Sequence, residues 1–138
     1  MVRINLVDPH KLADQHLVAE YDEILMLLGY VKKYPLPGGI PEKYCLGKGR
    51  VKFFKDKLAY LKRRFEEIKR EMKRWGFKPR KTVSLKGFPA KLKNDWAPSK
   101  EDERVIQARL AWKIRSKPGF YTYFGKHEKP AFFEGLLH

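Results

Sequence analysis

The sequence predicts an all-α protein, a single compact domain of three main helices with irregular connections. Apolar residues recur three and four positions apart in three segments, which is the spacing of one helix face. No segment shows a sustained strand-like alternation, and prolines and glycines concentrate between the three segments. The chain of 138 residues has the length of one ordinary domain, which we place over residues 1–138.

The first helix is predicted near residues 9–29. Asp8 followed by Pro9 is a start signal, because an aspartate can cap the first turn and proline is favoured at the first helical position. Gly29 is the expected stop, and residues 30–49 are predicted to form a loop rich in proline and glycine. The residues of the apolar face are Leu17, Tyr21, Ile24 and Leu28.

The second helix, near residues 50–75, has the clearest apolar face. Lys and Arg fill its outward positions, and Gly76 is expected to end it. A face of this kind indicates burial in the core rather than a cofactor-binding surface. Its residues are Val51, Phe54, Leu58, Leu61, Phe65, Ile68, Met72 and Trp75.

The third helix is predicted near residues 99–116. Ser99 with Asp102 three positions later forms a variant capping box, and Pro118-Gly119 would end the helix. Beyond it, residues 120–127 (FYTYFGKH) interleave aromatic rings with Lys126. Such a segment can stack on nucleic-acid bases, or it can close the core.

Charge favours a nucleic-acid partner. The chain carries 31 Lys and Arg against 16 Asp and Glu, a formal charge of +15. Residues 48–81 alone hold fifteen basic and four acidic residues, net +11, although a solvated helix face would explain this segment as well. No apolar run approaches the ~20 residues that span a bilayer. Cys45 is the single cysteine, which excludes an intramolecular disulfide and a cysteine metal cluster.

An acidic segment, ADQHLVAEYDEIL at residues 13–25, interrupts this basic chain. His16, Glu20 and Glu23 lie on one helix face there, at i, i+4 and i+7. They could hold a metal, but the remaining histidines show no ligand spacing, and we predict no metal site. Alternatively, these acids form ion pairs with the basic second helix.

The N-terminal amine is a candidate nucleophile. If Met1 is removed, which the small Val2 permits, the chain begins with an α-amine whose ordinary pKa of about 8 leaves part of it unprotonated. Neighbouring cations such as Arg3 would increase that fraction. An unprotonated amine can attack a sugar carbon and form an imine, provided that a carboxylate handles the protons. The sequence shows no Gly-rich phosphate loop, Cys–His pair or GxSxG motif.

Five segments closely resemble the phage-type pyrimidine-dimer DNA glycosylase/AP lyase family: MVRINLV, ADQHLVAEYDE, LGKGRVKFFKDKLAYL, QARLAWKI and YTYFGK. The resemblance implies an all-α fold, a DNA repair enzyme that flips a nucleotide out of damaged double-stranded DNA, and an imine formed by the N-terminal amine. It implies Val2 as the nucleophile-bearing residue, Glu23 as acid/base, and no cofactor. The DNA contacts that it implies are Arg3, Gln15, His16, Arg109 and Lys113.

The sequence also departs from this family. Val2 replaces a threonine, Asp22 and Met26 replace two arginines that approach the dimer and its phosphates, and Phe120 and Thr122 replace a tryptophan and a lysine. The catalytic residues are therefore retained while the substrate contacts are altered. These departures keep open a non-catalytic protein that binds nucleic acid, for instance structured RNA or the ribosome. In either case we expect a cytoplasmic monomer without a membrane partner, associated with the nucleoid if it binds DNA.

Overall fold

A computed structural model describes residues 4–34, 40 and 50–137, and shows a mainly α protein, as predicted. The helices are α1 (Asp14–Lys33), α2 (Arg50–Phe53), α3 (Leu58–Arg74), α4 (Lys100–Ser116) and α5 (Pro130–Leu137). Short 3-10 turns cover Pro9–Lys11, Phe54–Asp56 and Ala90–Leu92. Strands β1 (Thr122–Tyr123) and β2 (Lys126–His127) form an antiparallel hairpin. Within the described ranges, no helix is both long and apolar enough to cross a membrane.

The predicted bounds of the first helix are wrong at both ends. The Asp8 carboxylate accepts the His10 N–H at 2.9 Å, but it caps only the 3-10 turn that precedes α1. The backbone then extends through Ala13 before α1 begins. At the other end, α1 passes Gly29 because Val31, 1% exposed, continues the buried face into the core. The rest of the predicted loop, 35–39 and 41–49, lies outside the described residues.

The second predicted helix is divided into α2 and α3. Lys57 has non-helical torsions (φ −122°, ψ 43°) and makes an isolated antiparallel bridge with Lys93. Its Nζ donates to the Phe53 carbonyl at 2.9 Å and pairs with Asp56 at 2.8 Å, so that this carbonyl and this carboxylate both have a partner where the helix is interrupted. Tertiary pairing therefore outweighs the unbroken apolar period. The predicted face is nevertheless core, with Phe54, Leu58, Leu61, Phe65, Ile68 and Met72 at 0–2% exposure.

Gly76 ends α3 as predicted, and it does so in a way that positions Phe77. Gly76 has φ 83°, a left-handed conformation that suits glycine. Its N–H donates to the Lys73 carbonyl at 3.1 Å, and the Phe77 N–H donates to the Met72 carbonyl at 3.0 Å. These two bonds form a Schellman motif. The chain therefore reverses at a fixed angle, with Phe77 held next to Trp75.

Helix α4 confirms the third predicted helix. Ser99 Oγ accepts the Asp102 N–H at 3.1 Å while the Asp102 carboxylate accepts the Ser99 N–H at 3.0 Å, which completes the capping box. The sequence did not predict the hairpin or α5, so the three-helix description is incomplete. Helix α5 packs against α4 through an ion pair between Arg115 and Glu134 at 3.1 Å, and Phe133 is fully buried.

Candidate active-site groove on the first helix

An open groove of about 880 Å³ lies along α1, facing the end of α3 and the hairpin. We call it the α1 groove. It contains the exposed side of the acidic segment at residues 13–25, and is therefore the candidate active site. The described residues that line it are Asp14, Gln15, Val18, Ala19, Asp22, Glu23, Met26, Trp75, Phe77, Thr122, Phe124 and Gly125.

Glu20 faces away from this groove and into the core. Its carboxylate is 0% exposed, and Arg64 on α3 donates to both oxygens, from Nε at 2.6 Å and from a terminal nitrogen at 3.1 Å. Burial alone would lower the pKa of Arg64, but the Glu20 carboxylate outweighs it and raises that pKa above its ordinary value. The pair is therefore an ionic clamp between α1 and α3. The ion-pair interpretation of the acidic segment holds for this residue.

The same carboxylate anchors the N-terminal segment. The Asn5 N–H donates to Glu20 Oε1 at 2.9 Å, and Arg64 donates to the Val7 carbonyl at 2.5 Å. Between these anchors, Leu6 has φ 59°, a strained conformation for a bulky residue that only a firmly held segment maintains. Residues 4–7 are thus fixed against α1 and α3. The predicted nucleophile-bearing residue Val2 and the predicted DNA contact Arg3 lie outside the described residues.

Glu23 lines the groove one helical turn after Glu20. Its side chain is 5% exposed, so the carboxylate is enclosed while it still borders the cavity. Asp22 and Met26 also line the groove but are exposed, Met26 by 50%. The groove therefore has an enclosed acid within it and an acidic and apolar rim.

Asp14 and Gln15 connect α1 to the hairpin. The Asp14 carboxylate accepts from the Thr122 hydroxyl at 2.8 Å, the Phe124 N–H at 3.0 Å and the Gly125 N–H at 2.7 Å. The Gln15 amide donates to the Thr122 hydroxyl at 3.0 Å and accepts the Thr122 N–H at 2.9 Å. Through these bonds Gln15 holds the hairpin against α1 in the wall of the groove. The contact of Gln15 with DNA stays a prediction.

The hairpin turn places an aromatic ring in the groove wall. Phe124 and Gly125 have φ 51° and 79°, as in a two-residue turn that matches the twist of its strands. Phenylalanine is strained in this conformation, and the Asp14 bonds hold it there. Phe124 contacts Trp75 edge-to-face at 6.3 Å, and Trp75 contacts Phe77 at 5.6 Å. Three aromatic rings thus face the acidic side of α1.

A family model described as pyrimidine dimer DNA glycosylase matches residues 1–85, more than half of the chain. The chain belongs to that family. The matched range contains α1 with Glu23, the N-terminal segment and α3, and so most of the walls of the groove. Helix α4 and the hairpin lie beyond the matched range, and their roles rest on the geometry and on the sequence resemblance.

The predicted DNA contact His16 is largely buried, whereas a side chain that contacts DNA is expected to be accessible. It is 8% exposed and its ring lies 4.8 Å from the Tyr121 ring. Burial, reinforced by the charge of Lys113, lowers the pKa of His16 to about 4. The imidazole is therefore neutral at neutral pH, and neither ring nitrogen has a hydrogen-bond partner among the described residues. A contact of His16 with DNA would involve a neutral ring.

Helix α4 places the other two predicted DNA contacts. Arg109 is partly buried, its guanidinium lies 5.0 Å from the centre of the Trp112 ring, and its Nε has no partner within the described ranges. Lys113 follows one turn later and is close enough to His16 to affect its pKa. The structure thus brings Lys113 close to His16, and His16, Arg109 and Lys113 are not among the described residues that line the groove, whereas Glu23 is.

Among the groove residues, Asp14, Trp75 and Phe77 have no functional role predicted from the sequence. Trp75 was assigned to the core face of the second helix, although it lies at the end where that face meets the groove. The aromatic run at residues 120–127 did signal Phe124. Asp14 carried no signal, because its partners are 108 to 111 positions away. The described residues contain no group of three or more His, Cys, Asp and Glu arranged to hold a metal.

Proposed function

We propose that this chain is a DNA glycosylase and abasic-site lyase that attacks damaged DNA through the N-terminal α-amine, with Glu23 as the acid/base. The family acts on pyrimidine dimers in DNA, which supports damaged DNA as the substrate class. The observation that carries the proposal is the enclosed Glu23 carboxylate in the groove wall, one turn from the residue that anchors the N-terminal segment.

Covalent reach supports this assignment. The Asn5 N–H is bound to Glu20, and residues 2–4, which separate it from an amine on Val2, span at most about 11 Å when fully extended. Glu20 and Glu23 are separated by a helical rise of about 4.5 Å. A chain that begins at Val2 is therefore long enough for its amine to reach the Glu23 carboxylate while residues 4–7 stay in place.

The proposed chemistry uses one amine and one carboxylate. The amine forms a bond to C1′ of the damaged nucleotide as the glycosidic bond breaks, and Glu23 accepts the proton that the amine loses. The electron pair of the glycosidic bond leaves with the base, which takes a proton from water. The protonated Glu23 then returns this proton to the ring oxygen O4′ as the sugar ring opens to an iminium. Loss of a C2′ proton from this intermediate expels the 3′ phosphate and cleaves the strand. A nearby carboxylate also stabilises the cationic intermediate.

The basic surface would hold the phosphates around the damaged nucleotide. The chain carries a formal charge of +15, and Arg109 and Lys113 are our candidates for inner contacts, together with Arg3. Binding of this kind depends steeply on salt and little on sequence. Binding of this kind is expected of a DNA glycosylase and of a non-catalytic DNA-binding protein alike, so the charge alone does not decide between the two functions.

Borohydride trapping on a duplex with one abasic site tests the proposal directly. Wild-type protein should form a reduced covalent adduct, and Glu23→Gln should reduce the trapping rate by ~10²–10⁴-fold, as for loss of an acid/base group. Glu66→Gln removes the same charge from the exposed face of α3 and should trap like wild type. The absence of any wild-type adduct, together with tight binding to duplex or structured RNA, would establish the non-catalytic alternative.

A further inference from the structure

The described lining of the α1 groove carries the opposite charge to the chain as a whole. Of its twelve described lining residues, three are acidic and none is basic, in a chain with a formal charge of +15. Phosphate is a poor occupant of such a surface, whereas a flat cation is a suitable one. The groove volume of about 880 Å³ is ample for a single nucleotide base.

The three acids differ in what they can offer an occupant. Asp14 already accepts three hydrogen bonds from the hairpin, and Glu23 is only 5% exposed. Asp22 is exposed on the rim of the groove. Asp22 is therefore the carboxylate that a bound base would meet first, with Glu23 deeper in the groove, beside the sugar.

The opposite wall favours a cation for a separate reason. Trp75 meets Phe77 at an interplanar angle of 66° and Phe124 at 76°, so that the three rings form a tilted aromatic wall. The face of an aromatic ring attracts a delocalised cation more strongly than a neutral ring of the same shape. Met26, half exposed, adds a polarisable thioether to the rim. Arg74 lies 5.9 Å from the centre of the Phe124 ring, and its charge is paired with Glu71 at 2.9 Å.

We propose that the α1 groove selects a positively charged, N-alkylated purine base, with Asp22 and the aromatic wall as the specificity determinants. The excision step rests on the function proposed above; the binding preference does not. Alkylation of a purine at N7 or N3 creates a delocalised ring cation. When the amine bonds to C1′, the electron pair of the glycosidic bond neutralises that ring, and the base leaves without needing a proton. The proton lost by the amine goes to Glu23, so the leaving base requires no second acid.

Binding of 7-methylguanosine against guanosine tests the preference without any catalysis. At slightly below neutral pH the methylated ring is cationic, and it should bind about 2- to 30-fold more tightly than guanosine, the range of one cation–π contact. Tryptophan fluorescence is the readout, and Trp75→Phe should remove the quenching that reports on this groove. Asp22→Asn should reduce the preference, while Glu66→Gln, which removes a charge outside the groove, should preserve it. Equal affinity for the two nucleosides overturns the inference.

Excision is tested on a duplex with one 7-methylguanine, beside the same duplex with an abasic site. Release of the methylated base together with trapping on both duplexes supports the inference and the proposed function. Trapping on the abasic duplex without release of the methylated base overturns the excision inference and leaves the proposed function intact. Failure on both duplexes with the nucleoside preference retained overturns the proposed function and supports the selectivity of the groove.

Discussion

Glu20 and Glu23 lie three residues apart on one helix, yet they belong to two different regions of the molecule. Around Glu20 the packing is closed: Arg64 and the Asn5 N–H occupy the carboxylate, and exposure is 0%. Around Glu23 the molecule opens into the α1 groove. The acidic segment in a basic protein therefore has two tasks. Glu20 holds the N-terminal segment in place, and we propose that Glu23 exchanges protons with the amine at the start of that segment.

Breaking the closed region should give the largest effect on stability. Glu20→Gln leaves the Arg64 guanidinium buried without its counter-charge, which should lower the free energy of unfolding by about 3–5 kcal/mol. Glu23→Gln should lower it far less. Urea denaturation of both variants measures the difference. The double variant Glu20→Leu/Arg64→Met removes both buried charges and should therefore recover most of the stability, which keeps the test valid if Glu20→Gln does not fold. Equal losses for the two single variants would contradict the division of tasks.

The buried His16 should make stability depend on acid. Its pKa falls from 6.5 in the unfolded chain to about 4 in the folded protein. The unfolded state thus binds the proton first, and stability is full above pH 6.5 and declines as the pH falls to 4. The loss attributable to His16 is about 3 kcal/mol. His16→Phe, which keeps a ring beside Tyr121, should flatten this part of the pH profile of urea denaturation. An unchanged profile would show that His16 titrates normally.

Loosening the hairpin should affect the groove more than the fold. Asp14→Asn exchanges a charged acceptor of three bonds for a neutral one, which should cost about 1–3 kcal/mol of unfolding free energy. Phe124 should then leave its strained conformation. Hydrogen exchange at the Phe124 and Gly125 amides should accelerate strongly while the α3 amides stay protected. Unchanged exchange in the hairpin would show that Asp14 does not hold the turn.

The smallest expected effect concerns the proposed phosphate contacts of helix α4. Each phosphate that is neutralised contributes a slope of about −0.9 in log affinity against log salt on duplex DNA. Arg109→Ala should weaken binding to duplex DNA and flatten the slope by about one such unit. Arg104→Ala is a control on the same helix, because Arg104 is exposed and within 3.5 Å of Glu101. A salt slope that Arg109→Ala leaves unchanged would remove Arg109 from the interface.

Patterns among residues that are close in sequence correctly predict part of this structure. The Ser99–Asp102 capping box and the buried face from Leu58 to Met72 depend on residues within a few positions of one another, and both are present. The break at Lys57 depends on a bridge to Lys93, 36 positions later, and the apolar period continues across it. The sequence also predicts one role for Glu20 and Glu23, because they lie on the same face of a helix. Their positions on the helix do not reveal that Arg64 forms an ion pair with Glu20.

The N-terminal amine is the centre of this account, and locating the trapped adduct tests it most directly. Wild-type protein reduced with borohydride on abasic-site DNA should be digested with a protease and a nuclease, and the modified peptide identified by mass spectrometry. We predict a single modified residue, the α-amine of Val2, in a chain that has lost Met1. An adduct on a lysine side chain, or on an N-terminus that retains Met1, would contradict the role proposed for the amine of the N-terminal segment.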